Sequence, residues 1–441
     1  MSLRDVIQKL LDEASWNINH WKLFWIVSAS FILQGVLFSI VPATLYIIAP
    51  DTALYILAIN SIFFMIGAVF LGKLADLYGR RILLITSLII YLVGTILLLF
   101  LHENFLQVLI ATSLINLGVG GEIGSAYAAL AEFIPARHRG KSIMLSANFW
   151  NIGASLIAGL ALLYMELYTD IQTQFRSLII TVVVLALVIA LARMHIPESP
   201  RWLIEKRRFE VAREIIKKFT GSEKMLPEGG SSSEVKEYSL GLREIFLSRK
   251  YIFRFSILVI LTFTQLLTYN MVAYYMPYSR DFVYGVETAP LIIFVSNLGA
   301  SIGALIMIPL IDMSRRLSAV SSYLGGFLSA IVIATSYAYF IDLRIFLIII
   351  FVNMIFAEWA WASLSNLESE LFPTGVRASI VGLNTGLAWL INTFIILLEA
   401  AITATLYLYI TVILWLLGFL ASMLWFIKGV ETAKKPLELI H

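Results

Sequence analysis

The chain has 441 residues, 60% hydrophobic and 14% charged; soluble domains carry about 25% charged residues, so this composition excludes an ordinary soluble fold and points to a membrane-embedded one. A formal net charge of +3, with cations gathered at the ends of apolar runs, gives no basis for binding nucleic acid. The absence of cysteine excludes disulfides, thiolate metal sites and cysteine nucleophiles.

In chain order, residues 1–21 are polar and amphipathic, with Leu3, Val6, Ile7, Leu10 and Leu11 at helical spacing. They are expected to lie along the cytoplasmic membrane face, since no short apolar core precedes a cleavage site. Twelve apolar runs follow, each near the roughly 20 residues a bilayer requires: 22–49, 52–74, 80–101, 105–134, 138–168, 174–195, 250–278, 288–311, 317–340, 344–371, 376–402 and 404–428. The polar stretch 197–249 divides them into bundles at 22–196 and 250–428, with a tail at 429–441. Within that stretch, 199–219 has a charged helical pattern, and 220–238 reads as a flexible tether around Pro227 and Gly229–Ser233.

Charge asymmetry orients the spans. Lys73, Arg80, Arg81, Arg137, Arg139, Lys141, Arg193, Arg201, Arg249, Lys250, Arg315, Arg316, Arg377 and Lys428 fall on one side; Arg176, Arg280 and Arg344 fall on the other. The positive-inside rule then puts both termini in the cytoplasm, as a multi-pass protein of the cell membrane. An internal repeat supports the division. Glu132-Phe133-Ile134-Pro135-Ala136-Arg137-His138-Arg139 after the fourth run and Glu370-Leu371-Phe372-Pro373-Thr374-Gly375-Val376-Arg377 after the tenth share E-x-x-P-x-x-x-R.

The turn between the second and third runs reads Gly72-Lys73-Leu74-Ala75-Asp76-Leu77-Tyr78-Gly79-Arg80-Arg81. It resembles the loop signature of the major facilitator superfamily of secondary transporters, and returns in degenerate form at Asp312-Met313-Ser314-Arg315-Arg316. Pro197-Glu198-Ser199-Pro200-Arg201-Trp202-Leu203 resembles the motif shared by sugar porters and organic-ion transporters. Gln265, Asn270, Tyr274 and Tyr275 fall at the spacing of the sugar porters' seventh-span segment. The resemblance implies an all-α protein of twelve transmembrane helices, two six-helix bundles related by a pseudo-two-fold axis, working by alternating access. Departures leave the substrate branch open: Thr264 and Thr268 replace motif residues, Ala147 stands where sugar porters place a glutamine, Trp359 and Trp361 replace a G-P-x-x-W element, and Gln34 stands where many proton-coupled relatives carry aspartate.

A carboxylate inside the bilayer costs about 2.5–3.5 kcal/mol on insertion scales and is a functional candidate by default. Glu122 and Glu358 are the proton-coupling candidates, the first following Gly118-Val119-Gly120-Gly121, a segment resembling that of phosphate and organic-solute symporters. No strand precedes those glycines, so they are read as a helix-packing device rather than a dinucleotide site. Amides within apolar runs need partners: Gln34, Asn60, Asn116, Asn148, Asn151, Gln265, Asn270, Asn297, Asn384 and Asn392. From these and the aromatics, the substrate-contact candidates are Gln34, Asn148, Asn151, Gln265, Asn270, Tyr274, Trp359, Asn384 and Trp389. Asp76, Arg80, Arg81, Glu132, Arg139, Glu198, Arg201, Glu370 and Arg377 resemble the charge network that latches the two halves together. No phosphate loop, metal-binding histidine pair or hydrolase elbow is present, so no enzyme activity, metal or organic cofactor is expected. The expected partners are a small polar solute (a sugar or an organic acid), the lipid bilayer and a proton, for a monomer acting as a symporter. Alternatives are an uncoupled facilitator, an organic-ion antiporter and a transporter-like sensor.

Overall fold

The computed structural model of the chain describes residues 10–221, 242–308, 313–339, 342–372 and 374–433. Long apolar runs find no water inside a bilayer to satisfy their backbone, so each closes its own hydrogen bonds as a helix. Among the described residues, twelve helices are long and apolar enough to cross. They are α1 (Ile18–Ile48), α2 (Ala53–Ile66, continued by a π-turn at Gly67–Leu71 and by Gly72–Tyr78), α3 (Arg80–Phe100), α4 (Phe105–Phe133), α5 (Ala136–Leu167) and α6 (Ile171–Arg193). The second half supplies α7 (Arg249–Asn270), α8 (Ala289–Met307), α9 (Arg315–Ala338), α10 (Leu343–Glu370), α11 (Thr374–Glu399) and α12 (Ala404–Lys428). Asn17, Asn104, Asp170, Ser314, Asp342 and Thr403 cap α1, α4, α6, α9, α10 and α12, accepting from N–H groups that a first turn leaves open.

The helices form two six-helix bundles, as the sequence implies. In the first, α1 packs on α5, and α4 receives both α2 and α3; in the second, α10 receives α8 and α9, while α12 packs on α7 and α9. The bundles meet where α5 lies along α8 and α2 along α11. Glycine sets the closeness within the first bundle. A Cβ on Gly35 would overlap the Trp150 carbonyl of α5, one on Gly153 the Ile32 carbonyl of α1, and one on Gly120 the Phe64 carbonyl of α2. The α4 glycine cluster is therefore a site of backbone contact.

Three local features depart from the sequence reading. The stretch expected as a turn from Gly72 is helical to Tyr78, because nothing in it breaks a helix until Gly79, whose φ of 107° makes the actual turn. The first helix begins at Ile18 rather than 22, set by the Asn17 cap. Beyond Asn270, α7 loosens into a π-turn (Met271–Tyr275) and a 3-10 turn (Met276–Tyr278) holding Pro277. Between the bundles, Pro200–Glu205, Phe209–Thr220 and Leu242–Leu247 are short helices. Asn17 Nδ2 donates to the Phe219 carbonyl (2.7 Å) and Asn19 Nδ2 to that of Lys218 (2.6 Å), pinning the second of these helices to the foot of α1. Residues 1–9 and 222–241, the latter including most of the tether expected at 220–238, lie outside the described residues.

Candidate functional site

Two polar assemblies sit inside the helices. The first is built on Glu122 of α4. Arg193, the last residue of α6, directs Nη1 at Glu122 Oε2 (2.8 Å) and pairs through Nη2 with Oε1. Gln34 Nε2 of α1 donates to Oε1 at 2.9 Å. The guanidinium also reaches Ser30 Oγ (2.9 Å) and the Tyr91 hydroxyl (2.6 Å). Glu122 is 0% and Arg193 1% exposed, so four helices of one bundle close around a dry ion pair. The sequence reading places Arg193 among the loop cations, where its position at the end of an apolar run puts it. The structure instead folds it back beneath the surface, because an internal carboxylate one helix away repays its desolvation.

The second assembly lies where the bundles meet. Asn148 and Asn151 stand one turn apart on α5. Asn148 Nδ2 donates to the Ser301 carbonyl of α8 (3.3 Å) and Asn151 Nδ2 to Asn148 Oδ1 (3.3 Å). The Tyr269 hydroxyl of α7 lies 3.1 Å from Asn151 Oδ1 and 2.6 Å from Asn297 Oδ1. The Tyr274 hydroxyl meets the same Asn297 oxygen at 3.1 Å, and Ser39 Oγ of α1 donates to Tyr274 at 3.2 Å. Glu358 of α10 lies beside Asn151 of this chain and faces Tyr127 of α4. It lies about 18 Å along the helix from the Glu370 end, near mid-span, and is 7% exposed. Among the described residues no cation lies within salt-bridge distance of it. Next to this chain, Phe38 contacts Trp150, Tyr274 and Trp389, and Trp389 stacks on Phe64 with centroids 4.0 Å apart. The arrangement is an aromatic wall beside a run of amides, hydroxyls and one carboxylate.

Other candidates are engaged elsewhere. Trp359 donates its ring N–H to Ser318 Oγ of α9 (2.8 Å). Asn384 Nδ2 bonds Thr262 (2.6 Å) and Glu368 (2.7 Å), inside the second bundle. Gln265 Nε2 donates to the Ala357 carbonyl (3.1 Å), beside Glu358. Asn270 is 2% exposed, and its Nδ2 has no hydrogen-bond partner among the described residues.

Among the described residues, the loop charges pair within each bundle and not across the two. Arg80 reaches Glu132 at 3.5 Å, and the Glu198 carboxylate caps α3 by accepting from the backbone N–H of Arg80 (2.9 Å) and Arg81 (3.2 Å). The second half repeats this: Arg315 reaches Glu370 at 3.3 Å, and Glu431 accepts from Arg315 N (2.9 Å), Arg316 N (3.5 Å) and Ser314. Burial alone would raise the Glu431 carboxyl, but these hydrogen bonds together with one from Ala433 N hold it below the ordinary range. Arg139 pairs with Asp12 of the N-terminal segment. The side chains of Asp76, Arg201 and Arg377 lie outside the described part of the structure.

Sequence reasoning missed Arg193, Tyr269, Glu431 and two further carboxylates: the half-buried Glu368, and the buried Glu399, which accepts from Ser279. Glu431-Thr432 following the last span mirrors Glu198-Ser199 following the sixth, a signal that the first repeat made readable.

The sequence profile of the family described as "Sugar (and other) transporter" matches residues 46–441. The chain is 27% identical over 385 residues to the inner membrane metabolite transport protein YgcS of Escherichia coli, covering 84% of this chain and 81% of that protein. It is 27% identical over 399 residues to the glucose transporter GlcP of Staphylococcus epidermidis (86% and 85%), and 29% identical over 203 residues to the niacin transporter NiaP of Acinetobacter baylyi (45% of each). The xylose transporter XylE of E. coli, in a partially occluded inward-open conformation, superposes with a TM-score of 0.74 at 17% identity, covering 95% of this chain and 99% of that one; the likeness is one of fold. With a family profile spanning nearly its whole length and the same twelve-helix fold, the chain belongs to the sugar-transporter family of the major facilitator superfamily and is a transporter rather than an enzyme.

Proposed function

We propose that the chain moves a small polar metabolite, a sugar or an organic acid, across the cell membrane by alternating access in symport with a proton. It acts as a monomer, with its basic loops and both termini in the cytoplasm. The observation that carries the coupling is Glu358, a buried carboxylate at the junction of the bundles, beside Asn151 of the opposite bundle and lacking a cationic partner among the described residues. A lone carboxylate there is costly, and a proton relieves the cost. Because that neighbour sits on the other bundle, the charge on Glu358 biases how the bundles meet, which is what a coupling ion has to do. Glu122, the other candidate, is already compensated by Arg193 and Gln34, which supports a fixed strut within one bundle. The amides and hydroxyls from Asn148 to Tyr274 supply paired donors and acceptors for a hydroxylated solute, and the Phe38–Trp389 wall a face for its apolar side. One relative of the same fold is described as a proton:xylose symporter and another relative as a glucose transporter, which supports this choice.

The test is uptake of radiolabelled pentoses, hexoses and carboxylates into proteoliposomes with and without an inward proton gradient. Accumulation that requires the gradient is the expected result. Equilibration indifferent to it makes the chain a facilitator; exchange against a preloaded organic ion makes it an antiporter; binding without flux makes it a sensor.

A further inference from the structure

Asn60 lies about 10 Å into α2 from the end opposite the basic loops and is 2% exposed. Two hydroxyls of α4, Thr112 Oγ1 (3.1 Å) and Ser113 Oγ (3.2 Å), converge on its Oδ1. Both hydroxyls lie at the Oδ1 end of the amide. Its Nδ2, with two N–H donors, has no hydrogen-bond partner among the described residues. A buried donor left without an acceptor is expensive and seldom kept without a use.

Asn60 lines a cleft between the bundles together with Phe38, Ser61, Asn116, Tyr275 and Trp389. It has room for about one water-sized group. The cleft spans both halves. Ser61 Oγ donates to the Trp389 carbonyl (3.1 Å), and Asn392 Nδ2 donates to Ser61 Oγ and to the Tyr275 hydroxyl (3.1 Å each). The internal repeat places it as well. Asn60-Ser61 stand seven and six residues before Gly67, and Ser296-Asn297 stand at the same spacing before Gly303 in α8. By that spacing Ser61 matches Asn297, which accepts from both tyrosine hydroxyls of the central chain, and Asn60 stands one residue from the matching position in the other bundle.

The geometry points to Asn60 as a specificity-determining donor for the solute: its Nδ2 hydrogen-bonds an uncharged oxygen acceptor, a hydroxyl or carbonyl, of a molecule lying against Trp389. This rests on the transport reading and adds to it a contact outside the Glu358 assembly. With Nδ2 as its unpartnered end, the side chain selects acceptors; a deoxygenated analogue gains nothing from it. Removing the amide leaves the single hydroxyl proton of Thr112 an acceptor, the Val108 carbonyl at 2.8 Å.

The test uses Asn60→Leu and the shape-preserving Asn60→Asp in the full-length chain. Without solute, Asn60→Leu is expected to melt at or above the wild-type temperature, since a stranded buried donor is removed. A fall of several degrees would make Asn60 a structural strut and overturn the proposal. In proteoliposomes with D-glucose, D-xylose and monodeoxyglucoses as probes, both variants are expected to raise KM about tenfold, the loss of roughly one good hydrogen bond. One monodeoxyglucose is expected to show the same KM in wild type and variants. Unchanged KM for every transported probe would also overturn the proposal. A wild type that transports no probe counts against the transport reading, while the solute-free melt still decides whether Asn60 is a strut.

Discussion

Replacing Glu122 with glutamine leaves the Arg193 guanidinium, 1% exposed, among neutral oxygens alone, those of Ser30, Tyr91, Leu84 and the new amide. A buried charge stripped of its counter-charge costs about 3–5 kcal/mol. For a bundle of this size roughly 2–4 °C of melting temperature follow each kcal/mol, so the single variant should melt on the order of 10 °C lower. Arg193→Met, which strands Glu122 instead, should cost a similar amount. The double variant Glu122→Gln with Arg193→Met removes both charges and should recover at least about 2 kcal/mol of the summed losses, a coupling expected only of groups in direct contact. The assay is melting of the detergent-solubilised protein followed by tryptophan fluorescence. Additive losses in the double variant, or single-variant shifts below about 3 °C, would refute the account of a dry, mutually dependent pair.

Two further predictions concern the same architecture. The Glu431 carboxyl is held below its ordinary value of 4.5 by Ser314 and backbone N–H groups at the start of α9. Its folded pKa being depressed, its contribution to stability is fully present above that ordinary value and lost as pH falls below it. Wild type should therefore melt above Glu431→Gln at pH 7, and the two curves should converge in acid; a constant gap would contradict the assigned charge state. Gly153→Ala forces a Cβ against the Ile32 carbonyl and should cost about 1–3 kcal/mol. Gly386→Ala, whose nearest neighbour would be a Val69 methyl at 3.7 Å, should melt at or above wild type. Equal behaviour of the two variants would argue against backbone contact between α1 and α5.

The spans were readable because bilayer thickness imposes a run length and because each run ends at a cap or a cluster of cations. Glu122 and Glu358 were readable for a related reason: a carboxylate amid apolar residues stands out by cost alone. Glu399 escaped notice since it sits within a turn of a span end, where a carboxylate normally reaches water; here Ser279 covers it. Tyr269 carries its polar atom on an aromatic body that reads as apolar. The direction of the loop pairs was also hidden. Spacing shows that Arg80, Glu132 and Glu198 share one membrane face, but whether they join one bundle or two depends on helix order around the axis, which no periodicity encodes. Arg193 illustrates the same limit, since its partner lies 71 residues away in sequence.

The central claim is that Glu358 couples proton and solute movement, and lumenal pH tests it most directly. Proteoliposomes loaded with a pH-sensitive dye receive the transported solute outside, with wild type beside Glu358→Gln. Solute-driven proton entry in wild type, lost in the variant while solute-for-solute exchange persists, is the predicted result. Equal pH responses in the two, or none in a wild type that still carries solute, would contradict it.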